Sequence, residues 1–176
     1  MKKNLCIISN ESVSKEGNSY FCDNIDLKSI PEGLNDYFDV DVIARNSSIK
    51  RAKEIKIKNI TTSKNIYLYI LSIFKALKKN YENYLLISLT PNTFFAAIIL
   101  IIYKKNFYLY LRSDGFVEYQ QKIGFLGFYI YKFMYFLVCP KANLISCNEK
   151  LFKGMNGQLV KPCLLYTSPS PRDKRQ

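Results

Sequence analysis

The tetrapeptide RSDG at positions 112–115 sets a cation, a hydroxyl and a carboxylate side by side and ends at a glycine. Asp114, at the carboxyl end of a strand, can orient or deprotonate a hydroxyl. Arg112 can hold a phosphate or a carboxylate, with Gly115 beside it. The same letters also spell an Asp-Gly turn with a local Arg–Asp pair. Two other places invite a double reading. Gly17 with Asn18 lets backbone approach a diphosphate, or makes an ordinary loop. Thr90, directly before Pro91, caps a helix or presents that helix's N-terminus to an anion. Asp114 is therefore the candidate catalytic group. Arg112, Gly115, Gly17, Asn18 and Thr90 are the candidates for substrate binding.

Several chemistries are excluded by composition. The chain has no His, so His-based metal sites and Ser-His or Cys-His nucleophile pairs are not expected. Any general base must come from Asp, Glu, Lys, Tyr or Cys. The five cysteines contain no C-x-x-C pair and read as reduced thiols. Neither G-x-G-x-x-G nor G-x-x-x-x-G-K-[ST] occurs, so no dinucleotide fingerprint or P-loop is present. No metal and no cofactor is expected.

The elements that must position these residues alternate along the 176-residue chain. KNLCIISN (3–10) reads as a buried first strand, followed by a long polar loop, ESVSKEGNSYFCDN. SIPEGLNDYF (29–38) reads as a helix, with Ser29 and Glu32 as a capping box and Pro31 in the first turn. DVDVIAR (39–45) is a second strand, and IKIKNI (55–60) a half-exposed or edge strand. SKNIYLYILSIFKALKKNY (63–81) is the clearest helix. It is capped by Ser63, with Ile66, Tyr69, Ile70, Ile73, Phe74 and Leu77 on one face. YLLISL (84–89) is a central strand, and a nearly all-apolar helix follows Thr90. Then come a strand over 106–115, a helix within 124–138, a strand at 143–147 and a last strand near QLVKP (158–162). This order predicts an α/β fold: a Rossmann-like three-layer sandwich with a mostly parallel sheet. Ligands in such sheets bind at the carboxyl ends of strands. The polar strand ends are Ser9-Asn10-Glu11, Ser88 with Thr90, the 112–115 cluster, and 146–149.

The formal net charge is +12. Lysine pairs sit at the edges of apolar segments, with no basic helix interleaved with aromatics, so no nucleic-acid partner is expected. Lys, Asn and Ile enrichment also fits an A+T-rich genome. Basic pairs beside apolar helices suit an anionic membrane surface. FFAAIILIIY (94–103) is about half the length a spanning helix needs. The run 125–140 holds Lys132 in its middle and ends at Pro140. Both read as buried helices, and the second also suits peripheral contact with a membrane. No signal peptide is read at the N-terminus, so the expected location is cytoplasmic, with contact at the inner face of the cell membrane.

The ordered set KNLCIISN with its loop, IPEGLNDYFDVDVIAR, FYLYLRSDGF, ANLISCNEKL and QLVKP resembles the N-terminal domain of a GT-B glycosyltransferase of the group 1 (family 4) kind. That family serves capsule and lipopolysaccharide assembly. The resemblance covers residues 3–162. It implies half of a GT-B fold, the acceptor-side domain of an enzyme that moves sugar from a nucleotide-sugar donor to a glycan or lipid-linked acceptor. The donor is a substrate, held in the family by a C-terminal GT-B domain that has no counterpart in 1–162. The family's Gly-Gly pair in the first loop is reduced here to Gly17. The fragment by itself is expected to be inactive.

The end of the chain differs in composition from the rest. CLLYTSPSPRD (163–173) matches, codon for codon, the read-through of a transposase-type sequencing-library adapter. Residues 1–162 are thus read as the domain and 163–176 as an adapter-derived tail. The alternative is a single-domain α/β binding or partner protein without catalysis.

Overall fold

The computed structural model describes residues 2–160. Pro162 and the tail at 163–176 lie outside the described residues. β1 (Lys3–Glu16) buries Leu5, Cys6, Ile7 and Ile8, apolar on both faces. It does not stop at Asn10. It continues through ESVSKE, turns at Gly17-Asn18 and pairs antiparallel with β2 (Ser19–Cys22), Glu16 lying opposite Ser19. Gly17 has φ +58, and a two-residue turn of this kind selects glycine there. The segment read as a loop is thus a hairpin. Val13 and Cys22 are buried on it, an alternation hidden among serines.

α1 (Ile25–Leu34) starts at Asn24, whose side chain accepts from the Asp26 and Leu27 amides. The predicted start at Ser29 lies inside the helix, where the Ser29 hydroxyl donates to the Ile25 carbonyl. Pro31 is also internal and buried. β3 (Phe38–Asn46) matches its predicted position. IKIKNI is not one strand. Ile55 closes β4 (Lys53–Ile55), antiparallel to β2, and Ile60 belongs to β5 (Asn59–Ser63), parallel to β3. α2 (Ile66–Lys79) is capped by Asn65 rather than Ser63. It buries Tyr69, Ile73 and Ala76 and leaves Ile66 and Phe74 exposed.

β6 (Asn83–Ile87) leads to α3 (Pro91–Ile102), which starts where TPN predicts. β7 (Phe107–Leu111) is shorter than its predicted span, because Gly115 opens a further helix, α4 (Gly115–Ile123). α5 (Phe125–Val138), β8 (Asn143–Ser146) and β9 (Gly157–Leu159) complete the described chain.

Seven strands form a parallel sheet in the order β5-β3-β1-β6-β7-β8-β9. The hairpin partners β2 and β4 add an antiparallel extension. Chain order runs outward from β1 in one direction and from β6 in the other, so it reverses between β1 and β6. One apolar cluster joins Leu5, Ile7, Val40, Val42, Leu85 and Ile87 with Leu27 of α1. The other joins Cys6, Ile8, Leu86 and Leu109 with residues of α2, α3 and α5. The fold is therefore α/β, Rossmann-like and three-layered, as the alternation of elements predicts.

Two local constraints hold the layers. A Cβ on Gly115 would overlap the ring of Tyr131, which is buried on α5. A Cβ on Gly127 would overlap the Tyr119 carbonyl, so only glycine lets α4 and α5 approach this closely. Elsewhere, Asp41 accepts hydrogen bonds from Tyr81 and from Lys79. Burial works against the charged form of Asp41. The hydrogen bonds from Tyr81, Lys79 and Asn59 outweigh it and hold the carboxyl below its ordinary range.

Gly127→Ala is expected to cost about 3 kcal/mol in urea denaturation, because backbone rather than a movable side chain blocks the new methyl. The Asp41 carboxyl is depressed in the folded state, so its contribution is present above the unfolded carboxyl range and lost as pH falls. Asp41→Asn should therefore lower the melting temperature at neutral pH and flatten its decline below pH ~4.

Candidate functional site

In an open parallel sheet the strand ends flanking the reversal of order leave a crevice, and here these are the ends of β1 and β6. β1 pairs with β6 as far as Ser9. Its register against β3 shifts between Ile8 and Ser12, a bulge that carries Ser9, Asn10 and Glu11. The bulged backbone finds local partners. Glu11 N–H donates to Ser9 Oγ at 3.2 Å, and Ser9 O accepts from the Tyr69 hydroxyl at 3.1 Å.

Polar side chains from four elements meet at this point. Arg112, just after β7, lies 3.6 Å from Glu11 and 3.6 Å from Asp26 in the first turn of α1. Asn24 Nδ2 donates to Glu11 Oε1 at 2.8 Å. Asn92 of α3 donates to Asn10 Oδ1 at 2.6 Å. One guanidinium thus stands between two carboxylates, with the Asn24 amide on one of them and the Asn10–Asn92 pair at the neighbouring strand-end residue. The Arg112 side chain is 37% exposed, so the pairs face solvent.

The β6 end is strained. Ser88 has φ +64, a left-handed conformation that costs a residue with a Cβ. Its amide donates to Tyr110 O at 2.9 Å, and its carbonyl accepts from Thr93 Oγ1 at 2.7 Å. The Ser88 Oγ is buried with no hydrogen-bond partner among the described residues. The turn is held by what α3 needs. Thr90 and Thr93 form a reciprocal capping box at the start of that helix.

The sequence-predicted residues separate on the structure. Arg112 is in the crevice. Thr90 stands at its β6 edge with its hydroxyl engaged in the cap. Asp114 caps α4, one oxygen accepting from Phe116 N–H at 3.0 Å and the other 3.1 Å from Lys153 Nζ. No Arg112–Asp114 ion pair forms among the described residues; Arg112 pairs with Glu11 and Asp26 instead. Gly115 is set by its packing on Tyr131. Gly17 and Asn18 form the exposed tip of the β1–β2 hairpin. Glu11, Asp26, Asn24 and Asn92 complete the cluster but are not among the predicted site residues. The strand-end motif Ser9-Asn10-Glu11 was the available signal for Glu11. The α1 residues carried none, because the helix start was placed five residues late.

Burial raises the Cys22 thiol to about 11 and the Cys139 thiol to about 12, so neither is a nucleophile at neutral pH. Among the described residues no group of His, Cys, Asp or Glu gathers as a metal site. No helix among them is long and apolar enough to cross a membrane. Comparison with protein-family models, with curated proteins and with solved structures finds no match to this chain.

Ser88→Gly is expected to raise stability by about 1 kcal/mol, since it relieves the positive φ and removes an unpartnered hydroxyl. Thr90→Ala should lower it by about 1 kcal/mol through loss of the cap. Urea midpoints of the two variants, moving in opposite directions, check both.

Proposed function

We propose that the chain is the acceptor-side half of a GT-B-type glycosyltransferase. The enzyme would move a sugar from a nucleotide-sugar donor to a cell-surface polysaccharide or lipid-linked acceptor, at the inner face of the cell membrane. The observation that carries this reading is the crevice cluster of Glu11, Arg112, Asp26 and Asn92 at the reversal of strand order. Sugar hydroxyls both donate and accept, and interleaved carboxylates, amides and a guanidinium match that pattern. A pocket for diphosphate alone would leave two carboxylates against a polyanion.

In this reading Glu11 binds the acceptor hydroxyl and is placed to take its proton, while Arg112 fixes the Glu11 carboxylate. Asp114, with both oxygens engaged, supports the start of α4. The donor is held by a second α/β domain, as the resemblance implies, because no glycine-rich loop is present here.

The test is saturation-transfer NMR on the chain with hexose, hexosamine and uronic-acid disaccharides, and separately with uridine and thymidine diphosphates. At least one disaccharide should receive saturation, weakened tenfold or more by Glu11→Gln. The diphosphates should receive none. Diphosphate binding without saccharide binding, or sugar transfer by residues 1–162 alone, would overturn the assignment.

A further inference from the structure

Three of the helices on one sheet face, α2, α3 and α5, contain no Asp or Glu. Glu118 of α4, beside α5, is paired with Lys122, and Asp26 and Glu32 of α1 lie on the other side of the sheet. The outward side of the three helices is also apolar. Phe125 is 70% exposed, Leu126 65% and Phe133 63%, with Tyr129, Phe136 and Leu137 beside them on α5. Phe95, Ile102 and Tyr103 extend the surface on and just after α3, and Tyr67 and Phe74 extend it on α2. Aromatic contacts make it continuous: Phe94 lies 6.0 Å from Phe133, and Phe74 lies 6.1 Å from Tyr103.

Exposed lysines stand within and around this surface. Lys75, Lys78, Lys104, Lys132 and Lys141 are exposed and form no ion pair among the described residues. A second copy packed face to face would bring two lysine-bearing surfaces together, with no Asp or Glu on α2, α3 or α5 of either copy to offset them. An anionic lipid surface does the opposite. It accepts the rings and aliphatic groups among its acyl chains and pairs the ammonium groups with headgroups. Tyr67, Tyr103 and Tyr129 are half-apolar groups of the kind that settle at such a boundary.

We propose that the α2–α3–α5 face lies flat on an anionic membrane, with Phe125, Leu126, Phe133 and Phe136 immersed and Lys75, Lys78 and Lys132 at the headgroups. This deepens the functional reading by naming the surface on which it operates. It is tested separately, since vesicle binding reads the helical face and saccharide binding reads the crevice.

The experiment is flotation of the full chain with vesicles of phosphatidylcholine alone and of phosphatidylcholine with phosphatidylglycerol in equal parts. Binding is expected only with the anionic lipid and should weaken with salt. Phe133→Glu with Leu126→Glu should abolish it. Both positions are exposed, so the fold should survive, as circular dichroism would verify. Lys75→Gln, Lys78→Gln and Lys132→Gln should each weaken it roughly fivefold. Failure to float with either vesicle would overturn the proposal, as would flotation unchanged by these substitutions. So would a dimer in sedimentation that Phe133→Glu dissolves while no vesicle binds, which would assign the face to a second copy.

Discussion

β1 hydrogen-bonds to three other strands, which no other described strand does. Its first half lies between β3 and β6, and its second half outruns β6 to pair with β2. That one difference in length organises the molecule. Where both neighbours are present, both faces are covered and the residues must be apolar, as Leu5 to Ile8 are. Where β6 ends, the strand loses a row of partners, and its amides and carbonyls need new ones. The bulge at Ser9–Glu11 answers this with a hydroxyl from its own side chain and a phenol from α2. The crevice is therefore a consequence of β1 being longer than its neighbour. The polar side chains gathered there are the ones the local backbone can support.

The parts of the fold legible in the sequence are those where local chemistry and burial agree. YLLISL is apolar on both sides because it is central. Thr90-Pro91 starts a helix because cap and fixed φ act together. The failures occur where a local signal had two competing placements. Ser29 with Glu32 made a plausible capping box, but Asn24 offered an equally good cap earlier. Starting there lets Leu27 reach the core, and this outweighed an internal proline. The hairpin was hidden by serines, although Gly17-Asn18 is a turn dipeptide. For α2, starting at Asn65 left Ile66 and Phe74 outside and made Ala76 a core residue. The crevice was legible strand by strand but not as a set. Arg112 looked bound to its near neighbour Asp114. In space it meets Glu11 and Asp26 because β7 lies two places from β1.

The net charge of +12 is a poor description of the surface. Glu11, Glu16, Asp23, Asp26, Glu32 and Glu54 cluster around the hairpin and α1, where Lys28, Lys50, Arg51 and Arg112 meet them. Part of the excess of positive charge falls on α2 and α5, which carry lysine and no acid. A+T-rich codon usage would raise lysine throughout a chain. It does not account for the absence of Asp and Glu from three helices that share one face.

The crevice and this face share an edge, and the topology makes that unavoidable. α3 leaves β6 at its carboxyl end, so its first turn, with Thr90 and Asn92, borders the crevice. Its last turn, with Ile102 and Tyr103, lies among the exposed apolar residues at the far end. α2 likewise starts beyond the carboxyl end of β5. A right-handed crossover from one parallel strand to the next always returns a helix antiparallel to the sheet, beginning at the ligand end. An acceptor sugar on a lipid carrier places two demands on a protein, polar contacts for the glycan and an apolar, cationic flank for the bilayer. On the proposed reading α3 joins the two, its N-terminus bordering the crevice and its outer side adding apolar surface, while the lysines come from α2 and α5. Neither requires a spanning segment.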